Sequence, residues 1–342
     1  MSASFMRLAS RLGRPAAVVC TVLLGVACGG GDPRGAASVD LAAADYVGIE
    51  ACSGCHLGVY TSYAGTGMAR SVRMAEIDPR PAGPARLVVG SGNHARAIFH
   101  QDAGDATRPA SCSLAPGHEW HECPDDPRTP SHLAGAPLEH CLGCHAAVAR
   151  EGVAADGVDC ERCHGPGSIH VDRWRSATGS DGEADPTIVN PRRLPHAERM
   201  AVCLRCHFGA PPGLPHEDRA AAAARVTEFR PGPFLEGFAT DAQGARLMSS
   251  RCYVESGGGV DCLTCHDPHV TVYHDDRPPE RFRRACLRCH AADDCTLEPG
   301  TRAATRPPDD CTACHMRRAE PEDQAGTHYT DHWIRRPIDR SR

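Results

Sequence analysis

The sequence predicts a mainly α-helical chain with much irregular loop, wrapped around a stack of prosthetic groups instead of an apolar core of its own. Three observations lead there. Seven copies of Cys-x-x-Cys-His run through the chain: Cys52–Cys55–His56, Cys141–Cys144–His145, Cys160–Cys163–His164, Cys203–Cys206–His207, Cys262–Cys265–His266, Cys286–Cys289–His290 and Cys311–Cys314–His315. Aromatic residues make up only 5% of 342 residues, against 34 Gly and 28 Pro, a poor supply for a large polypeptide core. The motifs fall as one alone, a close pair, one intermediate and a close trio, which is uneven and argues against a tandem repeat.

Each pentapeptide reads as a c-type haem attachment site. Two thiols form thioethers to the haem vinyl groups, and the adjacent His lies beneath the iron. A zinc ribbon or a dithiol redox centre is the competing reading of one copy. Seven copies, each with His at the same place, favour seven covalently attached c-type haems. Packed haems would then form the core and make the chain a multihaem cytochrome.

Taken in order, residues 1–27 read as an export signal, with Arg7, Arg11 and Arg14 ahead of an apolar run at 16–27. The run is short for a permanent membrane span. Cys28 sits where a lipoprotein signal places its lipidated Cys, although Gly25 departs from that pattern. A lipid anchor at Cys28 is expected, and simple secretion is the alternative. Residues 28–45 form a Gly- and Ala-rich tether, residues 46–336 the haem domain and residues 337–342 a tail. The expected location is the periplasm or cell envelope, which suits haem attachment and permits disulfides.

Between the first two motifs, residues 87–100 read as a small β-hairpin around a Gly turn, and residues 104–137 as irregular. Short helices should surround the motifs, holding each motif His in their first turns. Residues 195–207 and 280–290 are the best candidates for longer helices. Pro-rich stretches at 211–215, 231–233 and 306–308 mark connections. Outside the motifs, Cys112, Cys123, Cys252 and Cys295 allow three pairings, and Cys112–Cys123 with Cys252–Cys295 is favoured over free thiols.

Thirteen further histidines could bind the opposite faces of the irons, enough for mostly bis-His, low-potential haems. Local context favours His170, six residues past His164, and His269, three residues past His266. Neither reaches round its own haem, so each would ligate a neighbouring one. His328 and His332 are one turn apart if helical, and His94, His140 and His196 complete the candidates. Met68 is a further possibility at the first motif.

The formal charge is −6 before any haem propionate is counted, and every basic residue other than His is Arg. Guanidinium groups suit propionate binding. Nothing points to nucleic acid. The expected partners are a redox protein donor and acceptor, together with a membrane surface through the lipid.

The segment Tyr46-Val-Gly-x-x-Ala-Cys52-x-x-Cys-His56, followed by Tyr60, Tyr63 and Thr66-Gly-Met-Ala-Arg-Ser71, resembles the opening of multihaem cytochromes of the cytochrome c-554 type. Those include members fused to tetratricopeptide repeats. Gly90-Ser-Gly-Asn-His94, Cys-His-Gly-Pro-Gly at 163–167, Cys-His-Asp-Pro-His at 265–269 and His328-x-x-x-His332-Trp-Ile-Arg extend the resemblance over about residues 46–336. It implies electron transfer by haems, without the fused repeats, since this sequence runs only ten residues past His332. The wider superfamily includes nitrite reductases with a proximal Lys, which this chain lacks, and hydroxylamine oxidoreductases. The alternative it implies is an oxidoreductase acting on a small nitrogen or sulfur compound at a five-coordinate haem, with His94 or Arg96 in its pocket.

Overall fold

The computed structural model describes residues 40–74, 86–90, 96–100, 111–113, 121–122, 138–147, 157–176, 184–208, 219–231, 237–272, 280–305, 308–323 and 328–336. All described residues belong to the unit Val39–Arg342. The expected signal, Cys28 and His94 lie outside the described residues. Among the described residues, no helix is long and apolar enough to cross a membrane.

The fold is mainly helical and loop-rich. Its helices are α1 Ile49–Ser53, α2 Leu57–Tyr63, α3 Leu138–His145, α4 Glu161–His164, α5 Ser168–Arg175, α6 His196–Leu204, α7 Arg219–Glu228, α8 Gln243–Met248, α9 Arg251–Glu255, α10 Cys262–Cys265, α11 Glu280–Cys286, α12 Pro299–Ala303 and α13 Cys311–His315. Among the described residues the longest run of helix has ten residues. Helices this short are not stable alone in water and depend on what they pack against.

The expected hairpin is present but is part of a larger meander. Strands β1 Val72–Met74, β2 Arg86–Val89, β3 Arg96–His100, β4 Ser111–Ser113 and β5 His121–Glu122 form one antiparallel sheet in sequence order. Leu87 pairs with Phe99 and Val89 with Ala97. Leu87, Val88 and Val89 are all buried, so β2 is covered on both faces. Strands β4 and β5 lie where the sequence suggested irregular chain. Their Ser, Cys, His and Glu residues give no apolar alternation, and pairing to β3 supplies the order instead. A second, two-stranded sheet joins β6 Arg318–Ala319 to β7 Tyr329–Thr330.

A modest polypeptide core does exist. Ala197, Met200, Ala201 and Leu204 make an i, i+3, i+4, i+7 stripe on α6. Met200 and Leu204 pack with Val226 of α7 and with Leu247 and Met248 of α8. Phe208 and Phe229 close one side edge to face, their centroids 6.2 Å apart. This cluster holds the fourth motif, which begins within the last turn of α6, beside Cys262 of the fifth.

Candidate haem-binding site

All seven motifs have one backbone form, a single helical turn. The motif His N–H donates to the carbonyl of the first Cys, at 2.9 Å in the first motif, 3.0 Å in the third, 3.1 Å in the fourth, 2.9 Å in the fifth and 3.1 Å in the sixth. The second and seventh motifs close the same turn inside α3 and α13. The imidazole therefore leaves from the end of its turn, whereas the sequence suggested the first turns of a short helix; His56, which also caps the start of α2, fits that expectation. Three turns are capped by an Asp directly before the first Cys. Asp159 accepts from Arg162 N, Asp261 from Thr264 N and Asp310 from Thr312 N. The sequence carries that signal as an Asp-Cys pair at each of these three motifs.

The variable residues inside the motifs bind motif to motif. Glu161 is 3% exposed and accepts from Val47 N, Gly48 N at 2.7 Å and Gly167 N at 2.8 Å, tying the first motif's approach to the third. Arg162 donates to the Gly143 carbonyl of the second motif, and Arg205 of the fourth motif donates to the Arg162 carbonyl. Arg288 of the sixth reaches the Thr264 carbonyl of the fifth at 3.5 Å. Gly157 permits one close approach here, since a β-carbon on it would lie 2.7 Å from the Met68 carbonyl oxygen.

The thiols gather in the same pattern. Cys52 meets Cys160, Cys144 meets Cys206, Cys203 meets Cys262 and Cys286 meets Cys311, each pair of free thiols within hydrogen-bonding reach and from different motifs. Together these contacts join all seven motifs into one array. Burial pushes the Cys163 thiol up to about 12, with Cys203 and Cys206 close by. The Cys206 thiol is held down by its hydrogen bond to the Cys144 thiol. None of the described cysteines forms a disulfide, so the expected Cys252–Cys295 pairing is corrected to two free thiols. Cys252 lies instead near Cys265 and Cys289. Of the other suggested pair, Cys112 sits in β4 opposite His121, and Cys123 lies outside the described residues.

Three motif imidazoles face a second imidazole from later in the chain. His56 and His170 have ring centroids 6.2 Å apart and planes 14° from parallel. His164 and His269 stand at 6.1 Å and 24°, and His266 and His332 at 6.0 Å and 26°. His170 and His269 thus face motifs other than those they follow. The Nδ1 atoms are engaged elsewhere: His164 with the Val189 carbonyl at 2.8 Å, His170 with Asp185 at 2.8 Å, His269 with Asp267 at 2.9 Å and His332 with the Thr330 carbonyl at 3.0 Å. An Nδ1–H so used leaves Nε2 as the free lone pair. Burial lowers the His164 and His332 pKa values and brings His266 down to about 4, with His332, Arg281 and His207 adding to the effect. These rings are neutral at neutral pH, the form that binds metal.

The remaining candidates lie elsewhere. His196 points its Nε2 at the Tyr253 hydroxyl, 3.1 Å away. His140 lies in α3, one residue before the second motif. His328 and His332 are not on a helix, because β7 and an extended strap carry them. His328 is exposed and offers its carbonyl to Arg318. Four motif histidines, His56, His145, His207 and His290, are themselves exposed. His207 Nδ1 lies 3.2 Å from Gln243, and His315 Nδ1 donates to the Arg335 carbonyl at 2.9 Å.

The strap carrying His332 is locked by a buried ion pair. Arg246 grips both carboxylate oxygens of Asp331, which has no exposed surface, while its guanidinium lies 5.1 Å from the Trp333 ring centre. Ser250 accepts from Ile334 N at 2.8 Å.

These residues fit a haem. A metal–imidazole bond is about 2 Å long and the ring centre lies about 1 Å further, so two imidazoles on one metal have centroids roughly 6 Å apart. The three opposed pairs have that spacing. The buried Nε atoms of Arg205 and Arg281 have no hydrogen-bond partner, and a propionate would supply one. Many other Arg are used by the protein itself, as in Arg199–Asp261 and Arg246–Asp331.

No family model matches the chain, and no curated protein matches it. Among solved structures, the outer cell wall cytochrome OcwA aligns over 84% of this chain and 79% of its own, at 16% identity and a TM-score of 0.45. That likeness is too low to establish a shared fold.

Proposed function

We propose that the chain is an extracytoplasmic heptahaem c-type cytochrome that carries electrons between a redox protein donor and acceptor. The observation that carries this reading is the set of opposed imidazoles at metal-spanning distance, each built on a Cys-x-x-Cys-His turn. Each haem, when bound, supplies a one-electron iron couple. The fourteen motif thiols tether the groups and the seven motif imidazoles stand beneath them. His170, His269 and His332 are the opposite ligands of the first, third and fifth haems. His94, His140, His196 and His328 remain the candidates for the other four. The side chains need perform no substrate chemistry. Their work is to hold ligands in one tautomer, exclude water and keep successive sites in contact. Residues 1–27 direct export, a lipid on Cys28 holds the protein at a membrane surface, and residues 46–336 form the electron-carrying domain.

Intact mass and electron paramagnetic resonance of the full chain, matured with a haem-attachment system, test this reading. A mass increase of seven haems with low-spin spectra is expected, and the same spectrum of masses reports the lipid. A colourless product with no mass increase would sink the proposal. A resting high-spin haem that turns over nitrite or hydroxylamine would replace the carrier with an enzyme.

A further inference from the structure

The three opposed pairs are not equivalent behind the ring. His170 donates to Asp185 Oδ2 at 2.8 Å, and Trp174 Nε1 donates to the same oxygen at 2.6 Å. Thr187 N donates to Oδ1 at 2.8 Å, and the Thr187 hydroxyl donates there as well. Three donors other than His170 therefore fix the carboxylate, so it cannot rotate away. Trp174 lies one turn after His170 on α5, and its ring packs edge-on against the imidazole with centroids 6.4 Å apart. The Asp185 side chain is 13% exposed and the His170 side chain 22%. By contrast, Asp267 behind His269 is 54% exposed, and His332 meets only a neutral carbonyl.

We propose that Asp185 is a positioning residue that holds His170 in one tautomer and orientation and lowers the reduction potential at the Cys52–His56 motif. This rests on reading His56 and His170 as an axial pair. A carboxylate accepting the Nδ1 proton pushes electron density toward Nε2 and makes the imidazole a stronger donor. A stronger donor stabilises ferric over ferrous iron in a one-electron couple, with no proton transferred. Shelter from water strengthens the effect, so Asp185 should act more strongly than Asp267. Among these three pairs the first therefore receives the largest downward contribution from its hydrogen-bonded partner.

The test is spectroscopically monitored redox titration of the full-length, haem-loaded protein. In Asp185→Asn, one of the seven haems should become about tenfold easier to reduce, an upward shift of about 59 mV, while remaining low-spin. Asp267→Asn should shift one haem less. Asp185→Glu, which keeps the charge, should stay closer to the parent than Asp185→Asn. Asp185→Ser replaces the amide variant if that one fails to load all its haems. Unchanged potentials in a fully loaded, low-spin neutral variant overturn the proposal. His170→Ala separates the two levels: one new high-spin haem upholds the axial pair, and an unchanged low-spin spectrum overturns both the pair and the role of Asp185.

Discussion

Glu161 occupies a position that the Cys-x-x-Cys-His pattern leaves free, yet it is more buried than any cysteine around it and ties two distant segments together. Its carboxylate takes backbone donors from residues 47, 48 and 167, so the first motif's approach is held against the third by one side chain. Hydrogen bonds to a charged group contribute about 1.5–3 kcal/mol each when removal leaves a buried donor unpaired. Glu161→Gln should retain one or two of these bonds and destabilise the haem-loaded protein by roughly 2 kcal/mol. Chemical denaturation followed at the Soret band would measure it, and a change within about 0.5 kcal/mol would show that the clamp is dispensable. The same lesson applies to Arg162 and Arg205, whose guanidinium groups bridge neighbouring motifs through backbone carbonyls. A pentapeptide search sees the Cys and His and passes over the residues that assemble the array.

At the scale of elements, the recurring unit is one helical turn, too short to persist unaided, and each copy needs an outside hold. The C-terminal strap shows how such a hold works without a helix. Arg246 of α8 pairs with Asp331 in a site closed to solvent, and His332 follows directly, opposite His266. Breaking a buried ion pair costs about 3–5 kcal/mol, because the remaining charge stays unpaired. Asp331→Asn should therefore loosen the strap before it disturbs the rest of the fold. The expected result is conversion of one low-spin haem to high-spin, with the other haems unchanged in resonance spectra. Seven unaltered signals would show that the strap's position does not depend on this pair. The four-residue spacing of His328 and His332 would match one turn if the segment were helical. Pairing of β7 with β6 decides otherwise, and only the tertiary partner distinguishes the two.

Across the whole molecule, thiol and arginine contacts run from the first motif to the third, from the third to the second and fourth, and on through the fifth and sixth to the seventh. Neighbours in this array are not always neighbours in sequence. The protein core around α6, α7 and α8 is small, so the array depends on what fills it. Chain produced without haem attachment should show no sharp thermal transition by circular dichroism. A cooperative transition near that of the loaded protein would mean that the polypeptide folds by itself. Much of this organisation was legible beforehand. The motifs, the mainly helical and loop-rich class, the hairpin at 87–100 and the longer helix after 195 all follow from local chemistry and spacing, whereas the helix expected over 280–290 stops at Cys286 after seven residues. The extra strands β4 and β5, the free Cys252 and Cys295, and the roles of Glu161, Asp185 and Asp331 did not. Sequence alone determined where the Cys-x-x-Cys-His thiols and their adjacent imidazoles occur, because the motif fixes its residues within five positions. Only the tertiary structure decided which distant imidazole faces which motif, because that depends on long-range packing, and no local pattern encodes a contact between residues 56 and 170 or between 266 and 332.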